Sequence, residues 1–138
     1  MFNPNVSFKN AFENTNLGHL VNLLCRALLL WLFFVSGWGK VVNYDAVAAY
    51  MGTVGLPSSL LPLVILLELG GGLAILFGFQ TRVIAVFMAV YCILSAILFH
   101  AGADDANNFM KNFGLAGGFL LLTVYGAGRF SIDHLLEK

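Results

Sequence analysis

Apolar residues dominate four long stretches of this chain, and short polar breaks divide them. A membrane-crossing helix needs about 20 mostly apolar residues. The stretches that qualify are Leu17 to Trp38, Leu61 to Phe79, Val83 to His100 and, roughly, Phe109 to Tyr125. Only "QTR" separates the second from the third, so these two are predicted to be antiparallel neighbours. Between the first and second, Val47, Tyr50, Met51 and Val54 recur at helical spacing, with Asn43 before them as N-cap and Gly52 to Pro57 after them as a stop. This predicts a short interfacial helix over one mouth of the bundle. Trp38, Tyr44 and Tyr50 suit a belt of aromatic rings at headgroup level. Ser131 is placed to cap a short C-terminal helix.

Residues 1–16 are polar with scattered Phe, and residues 17–138 are expected to form a single membrane domain. The tail lacks a compact basic start and a small-residue cleavage site, so the first apolar stretch reads as a retained span. Phe8 and Phe12, four apart, suggest that part of the tail lies on the membrane surface.

Composition agrees with the pattern. The chain has 138 residues, 59% hydrophobic and 10% charged, where a soluble domain carries about 25% charged residues. A soluble domain of this size could not bury so much apolar surface. The expected class is an all-α polytopic membrane protein, a four-transmembrane-helix bundle with the short interfacial helix between spans one and two. The formal net charge is zero and no basic block exists, which argues against nucleic acid as a partner. Four spans put both termini on one side, with Lys9, Arg82, Arg129 and Lys138 there against Lys40 and Lys111 opposite. Basic residues favour the cytoplasm, so both termini are expected inside. Cys25 and Cys92 form no CxxC or zinc spacing and read as packing residues, with a redox pair as the alternative.

The informative residues are those ionisable at depth, because a charge at mid-bilayer costs about 2.5–3.5 kcal/mol on insertion scales. In span one, His19, Asn22, Arg26, Leu30, Phe33, Gly37 and Lys40 form one helical stripe. In span two, Leu61, Ile65, Glu68, Gly72, Ile75 and Phe79 form another. Counting 1.5 Å per residue from the inner ends puts Arg26 at about 13 Å and Glu68 at about 16 Å, so the two are expected to pair. Such a pair either locks two helices together or also forms a wall of a ligand site. Gly71 and Gly72, one turn beyond Glu68, leave room beside the carboxylate. Ala85, Ala89, Cys92 and Ala96 give span three a small-residue face ending at His100. Gly114 and Gly118 form a GxxxG on a face shared with Lys111, the spacing at which helices approach closely.

A second cluster is expected at the outer mouth. Lys40, His100, Lys111 and Asn112 converge there, with Trp38 and Tyr44 to close a pocket. The alternative is that Lys40 and Lys111 only snorkel to the interface. His100 and Asp104 stand four apart, but one His and one carboxylate fall short of a metal site, and no metal is expected. No nucleophile–base arrangement or phosphate loop is present. "ELGGGLA" is glycine-rich but follows no strand, so it is not a dinucleotide turn.

Three blocks in order, "LLLWLFFVSGWGKVVNY", "VGLPSSLLPLVILLELGGGLAILFGFQTR" and "FMKNFGLAGGFLLLTVYGAGRFSID", closely resemble the DoxX family of small bacterial four-helix inner-membrane proteins. The resemblance runs from about Leu23 to Asp133. The tail before Leu17 is longer than is usual in the family. The family pattern falls on Arg26, Ser36 to Lys40, Glu68, Met110 to Asn112, and Gly117 with Gly118. Some family members are subunits of a thiosulfate:quinone oxidoreductase, and another is associated with a membrane complex linking superoxide dismutase and a sulfurtransferase. The resemblance therefore implies a redox-associated subunit of the bacterial inner membrane, without independent catalytic activity.

On this reading a quinone or similar amphiphile is the candidate ligand, and a membrane or periplasmic redox protein is the candidate partner. A homo-oligomer is a further candidate assembly. Arg26, Trp38, Lys40, Glu68, His100, Lys111 and Asn112 would bind the ligand, and Gly37, Gly71, Gly72, Gly114 and Gly118 would pack the helices. Two other readings stand beside it: a scaffold that recruits a partner, and a small-solute transporter or channel. The last is weakened by the lack of an inverted repeat.

Overall fold

The computed structural model describes residues 2–137; Lys138, counted above for orientation, lies outside them. Among the described residues the chain is all helical. Helix α1 (Pro4–Phe12) occupies the polar tail, capped by the Asn3 side chain. Helix α2 (Asn16–Val42) starts at Thr15, whose hydroxyl accepts from the Gly18 amide. The chain turns so tightly between them that a Cβ on Gly18 would lie 1.8 Å from the Phe12 carbonyl oxygen. Helix α3 (Tyr44–Thr53) follows at once.

The second long helix, Ser58–Phe77, changes pitch along its length. It opens with a 3₁₀ turn (Ser58–Leu60) and continues as α4 (Leu61–Ile65). It then widens into a π-helical turn (Leu66–Gly71) and closes as α5 (Gly72–Phe77). Gly70 and Gly71 inside this turn, with Gly72 directly after it, give it little preference for regular α-helix. Gly78, at φ +68°, ends the helix in the left-handed region that glycine tolerates. Helix α6 (Thr81–Phe99) runs back, and α7 (Ala106–Tyr125) returns along it. Helix α8 (Ile132–Leu136) ends the described chain, with the Ser131 hydroxyl capping His134 as the sequence predicts.

Among the described residues, three helices are long and apolar enough to cross a membrane: Asn16–Val42, Ser58–Phe77 and Thr81–Phe99. Helix α7 has 20 residues, but its first turns carry Asn107, Asn108, Lys111 and Asn112. Large apolar side chains face outward. On α2 the outer stripe is Leu20, Leu24, Leu28, Trp31, Val35 and Trp38, and on α6 it includes Val83, Phe87, Val90 and Leu94. This much exposed apolar surface is the signature of a chain solvated by lipid.

The core lies between α2, α5, α6 and α7. Ala85, Ala89, Cys92 and Ala96 are buried on α6, as their spacing predicts, against Phe33, Ile75, Ala116 and Phe119. The buried face of α7 is Asn112, Ala116, Phe119 and Leu122 rather than the glycine face. A Cβ on Gly114 would meet nothing within 4 Å, and one on Gly118 only Leu29 at 3.9 Å. The GxxxG therefore does not bring α7 into close contact. Its place is taken by alanines on α6 and α7. Helix α3 lies over the far end of α6, with Met51 buried and the Tyr50 hydroxyl donating to the Phe99 carbonyl at 3.4 Å. Asn43 does not cap α3; its amide donates instead to the Gly39 carbonyl at the end of α2.

Candidate functional site

Glu68 sits in the π-helical turn, 2% exposed, and its carboxylate is surrounded by donors. Lys40 Nζ lies 2.9 Å from Oε1 and 2.8 Å from Oε2. The Tyr91 hydroxyl donates to Oε1 at 2.5 Å and the Ser36 hydroxyl at 3.2 Å. Lys40 also donates to Ser36 Oγ at 2.7 Å. Ser36 and Lys40 are one turn apart on α2, so both reach the same carboxylate. A Cβ on Gly37 would stand 3.2 Å from Glu68 Cβ and 2.8 Å from Leu69, so its missing side chain lets α2 touch the widened turn. Gly72 does the same beside Leu30, at 2.8 Å, and Gly71 beside Met88, at 3.1 Å. Phe33 flanks Tyr91 and stacks obliquely on Phe119, sealing the cluster from the core side.

Lys40 is not fully sealed: its side chain is 22% exposed, against 3% for Glu68. The cluster thus presents a part-exposed cation, its three donors directed at Glu68 and Ser36, with a shielded carboxylate behind it. A π-helical turn inside an α-helix recurs at functional sites. Here it carries the one buried carboxylate among the described residues.

Arg26 does not pair with Glu68. It is fully buried at the other end of α5, where its guanidinium donates to the carbonyls of Ile75 at 3.2 Å, Leu76 at 2.5 Å and Phe130 at 2.5 Å. Its Nε donates to Asn22 Oδ1 at 3.0 Å, and Asn22 in turn holds the Gly126 carbonyl at 3.0 Å. Arg26 satisfies the Leu76 carbonyl at the end of α5, shares the Ile75 carbonyl with the Gly78 amide, and ties the last segment of chain onto α2. The depth count went astray because the first turns of α2 extend past the inner end of α5. Arg26 is therefore level with Leu76, about 12 Å along the helix from Glu68.

The expected outer pocket divides into separate parts. Lys40 turns inward to Glu68, and Trp38 is 57% exposed on the apolar outside. His100 contacts Asp105, not Asp104, and Asp105 accepts from Asn108 at 2.5 Å. Asn108 accepts from Lys111 at 2.6 Å, and Asn112 donates to the Asn108 carbonyl at 2.9 Å. This chain joins His100, Lys111 and Asn112 at the start of α7. Hydrogen bonds from His100 and Asn108 hold the Asp105 carboxyl below the usual range. No group of three metal-ligating side chains forms among the described residues.

Two groups escaped the sequence reading. Tyr91 had one signal: a hydroxyl in mid-span needs a buried partner. The other is the end of the bundle near the chain termini. There Asp133 caps α6 by accepting the Gln80 amide at 2.7 Å and the Thr81 amide at 2.9 Å, and Arg82 donates to the carbonyls of Thr123 and Val124.

A family model described as DoxX matches residues 21–101. The chain is 52% identical over 119 residues to inner membrane protein YqjF of Escherichia coli (strain K12), covering 84% of this chain and 92% of that protein. It is 31% identical over 122 residues to inner membrane protein YphA of the same organism, covering 81% and 87%. It is 28% identical over 116 residues to a Bacillus subtilis (strain 168) protein named "Putative oxidoreductase CatD", covering 84% and 87%. No solved structure matches the chain significantly.

Proposed function

Because the chain belongs to the DoxX family of membrane proteins, we propose that it is a redox-associated membrane subunit that binds a quinone or similar amphiphile beside Lys40 and Glu68. The carrying observation is the buried Glu68 carboxylate in a widened helical turn, with Tyr91 and Ser36 behind it and the part-exposed Lys40 in front. A quinone carbonyl needs a donor, and Lys40 supplies one by releasing one of its three contacts to Glu68 and Ser36. A proton has the Glu68 carboxylate to rest on, where the Tyr91 hydroxyl already donates its own. Electrons come from a membrane or periplasmic redox partner. The name of the Bacillus relative as an oxidoreductase supports the direction.

On this reading α7 is the fourth span, its polar first turns lying at the outer interface with α3. Residues 17–138 form one membrane unit in the bacterial inner membrane, with both termini cytoplasmic. Arg26 is reassigned from ligand binding to holding the bundle, because its donors are spent on backbone carbonyls.

Native mass spectrometry of the gently purified protein tests the proposal. A retained quinone, and a rise in thermal stability on adding one that Glu68→Gln reduces, are expected. A clean unliganded mass with no quinone effect on stability overturns it.

One observation favours a scaffold instead: both oxygens of Glu68 are already satisfied from within the chain. If Lys40→Leu with Glu68→Leu folds, inserts and still assembles with its partner in pull-downs while quinone has no effect on either protein, the scaffold reading holds. If that double variant folds but loses a quinone effect seen in the native protein, the scaffold reading fails.

A further inference from the structure

A cleft of about 900 Å³ opens away from Glu68, at the end of the bundle where α2 and α6 begin. Its charged and imidazole side chains are Arg82, Arg129, His19, His134, Asp133 and Glu137. Beside it runs a groove of about 500 Å³ with a different lining, formed by Leu23, Leu76, Phe77 and Leu135. The two cavities meet at Arg129 and Ser131, which line both.

The charges in the cleft are not equally free. Asp133 is occupied by the Gln80 and Thr81 amides, and Glu137 is exposed near the end of the described chain. Arg82 holds two carbonyls of α7 but keeps its charge. Arg129 is exposed, and among the described residues its guanidinium donates only to Asn16, at 3.5 Å. Its backbone N–H donates to His19 Nδ1 at 3.3 Å. An accepting Nδ1 puts the proton of neutral His19 on Nε2, a second donor in the cleft.

The position matters as much as the lining. Phe77 ends one helix able to cross a membrane and Thr81 begins the next. The polar cleft therefore falls at headgroup level and the apolar groove at the edge of the hydrocarbon. Basic pockets between spanning helices at this level suit phosphate headgroups.

We propose that the two-part cavity is a binding site for an anionic phospholipid. The phosphate lies against Arg129, Arg82 and His19, and one acyl chain follows the groove along Leu23, Leu76, Phe77 and Leu135. This site is distinct from the Lys40–Glu68 cluster, which lies at the other end of α2.

The test titrates the delipidated full-length protein in detergent by native mass spectrometry. The probes are phosphatidylglycerol, phosphatidylcholine with the same acyl chains, and inorganic phosphate. Phosphatidylglycerol is expected to bind about fivefold or more tightly than phosphatidylcholine, the change one basic side chain brings near an anionic lipid. Arg129→Gln should remove that preference and Arg129→Lys should retain it. Leu135→Asp should weaken both lipids, because it puts a charge in the groove.

Equal affinity for the two lipids overturns the proposal, as does an unchanged preference in Arg129→Gln. Full displacement of the lipid by millimolar inorganic phosphate also overturns it, because free phosphate would then be the ligand. Should Arg129→Gln fail to fold, the comparison of lipids on the native protein and the Leu135→Asp variant still decide.

Discussion

Lys40 holds both oxygens of Glu68 with one ammonium, 2.9 Å from Oε1 and 2.8 Å from Oε2, inside an apolar bundle. Burying two charges is costly, and their attraction offsets that cost only when both are present. Removing Lys40 alone leaves the carboxylate with hydroxyl donors only. Lys40→Leu is expected to destabilise by roughly 3–5 kcal/mol, and Lys40→Leu with Glu68→Leu by clearly less than the sum of the single changes. Denaturant unfolding of the four proteins in one detergent checks this. Additive effects would mean the pair is not coupled.

Arg26 predicts a different failure. Its planar fork satisfies carbonyls from two segments distant in sequence, and an ammonium cannot span that geometry. Arg26→Lys should therefore rescue little of the damage done by Arg26→Leu. Both should speed hydrogen exchange and proteolysis across residues 126–137 while the Glu68 cluster stays protected. Rescue of that protection by Lys would show that charge alone matters there.

Much of the frame was legible because it rests on periodicity. The stripe Ala85, Ala89, Cys92, Ala96 is buried as its spacing predicts, and the helix at Tyr44–Thr53 falls where Val47, Tyr50 and Met51 recur. Glu68 was legible as a paired, buried group because a carboxylate among leucines needs a partner. Which partner was not legible. Depth counting assumes that neighbouring helices end at one level, and α2 overruns α5, so Lys40 takes the pairing expected of Arg26, and Arg26 binds backbone carbonyls instead. The GxxxG misled for a related reason. Gly114 and Gly118 share a face, but the rotation of α7 is set by Ala116, Phe119 and Leu122 packing on α6. Tertiary packing fixes that angle, and no local pattern reports it.

The glycines accordingly separate into two kinds. A Cβ on Gly37 would lie 2.8 Å from Leu69 and 3.2 Å from Glu68 Cβ, whereas one on Gly114 meets nothing within 4 Å. Gly37→Ala is expected to cost about 1–3 kcal/mol by overpacking the α2 contact. Gly114→Ala should be neutral or stabilise by up to about 1 kcal/mol through helix propensity. Thermal unfolding in detergent checks the pair. A destabilised Gly114→Ala would restore the GxxxG as a packing face, in an assembly of several chains.

The last prediction concerns pH at the end of the bundle near the termini. Burial resists ionisation of Asp133, but hydrogen bonds from Thr81 and Gln80 and the charge of Arg26 outweigh it, so its carboxyl lies below its ordinary value of 3.8. A depressed carboxyl pKa stabilises the fold above the unfolded value, and that contribution is lost as pH falls through the folded one. The cap on α6 is therefore intact at neutral pH and through mild acid, and it releases only below about pH 4. Hydrogen exchange at the Gln80 and Thr81 amides, corrected for intrinsic rates, should rise over that acid window and stay flat above it. Asp133→Asn removes the titrating group, so its corrected rates should show no such step. A step well above that acid window in the native protein, or one that persists in Asp133→Asn, would place control in a group other than Asp133.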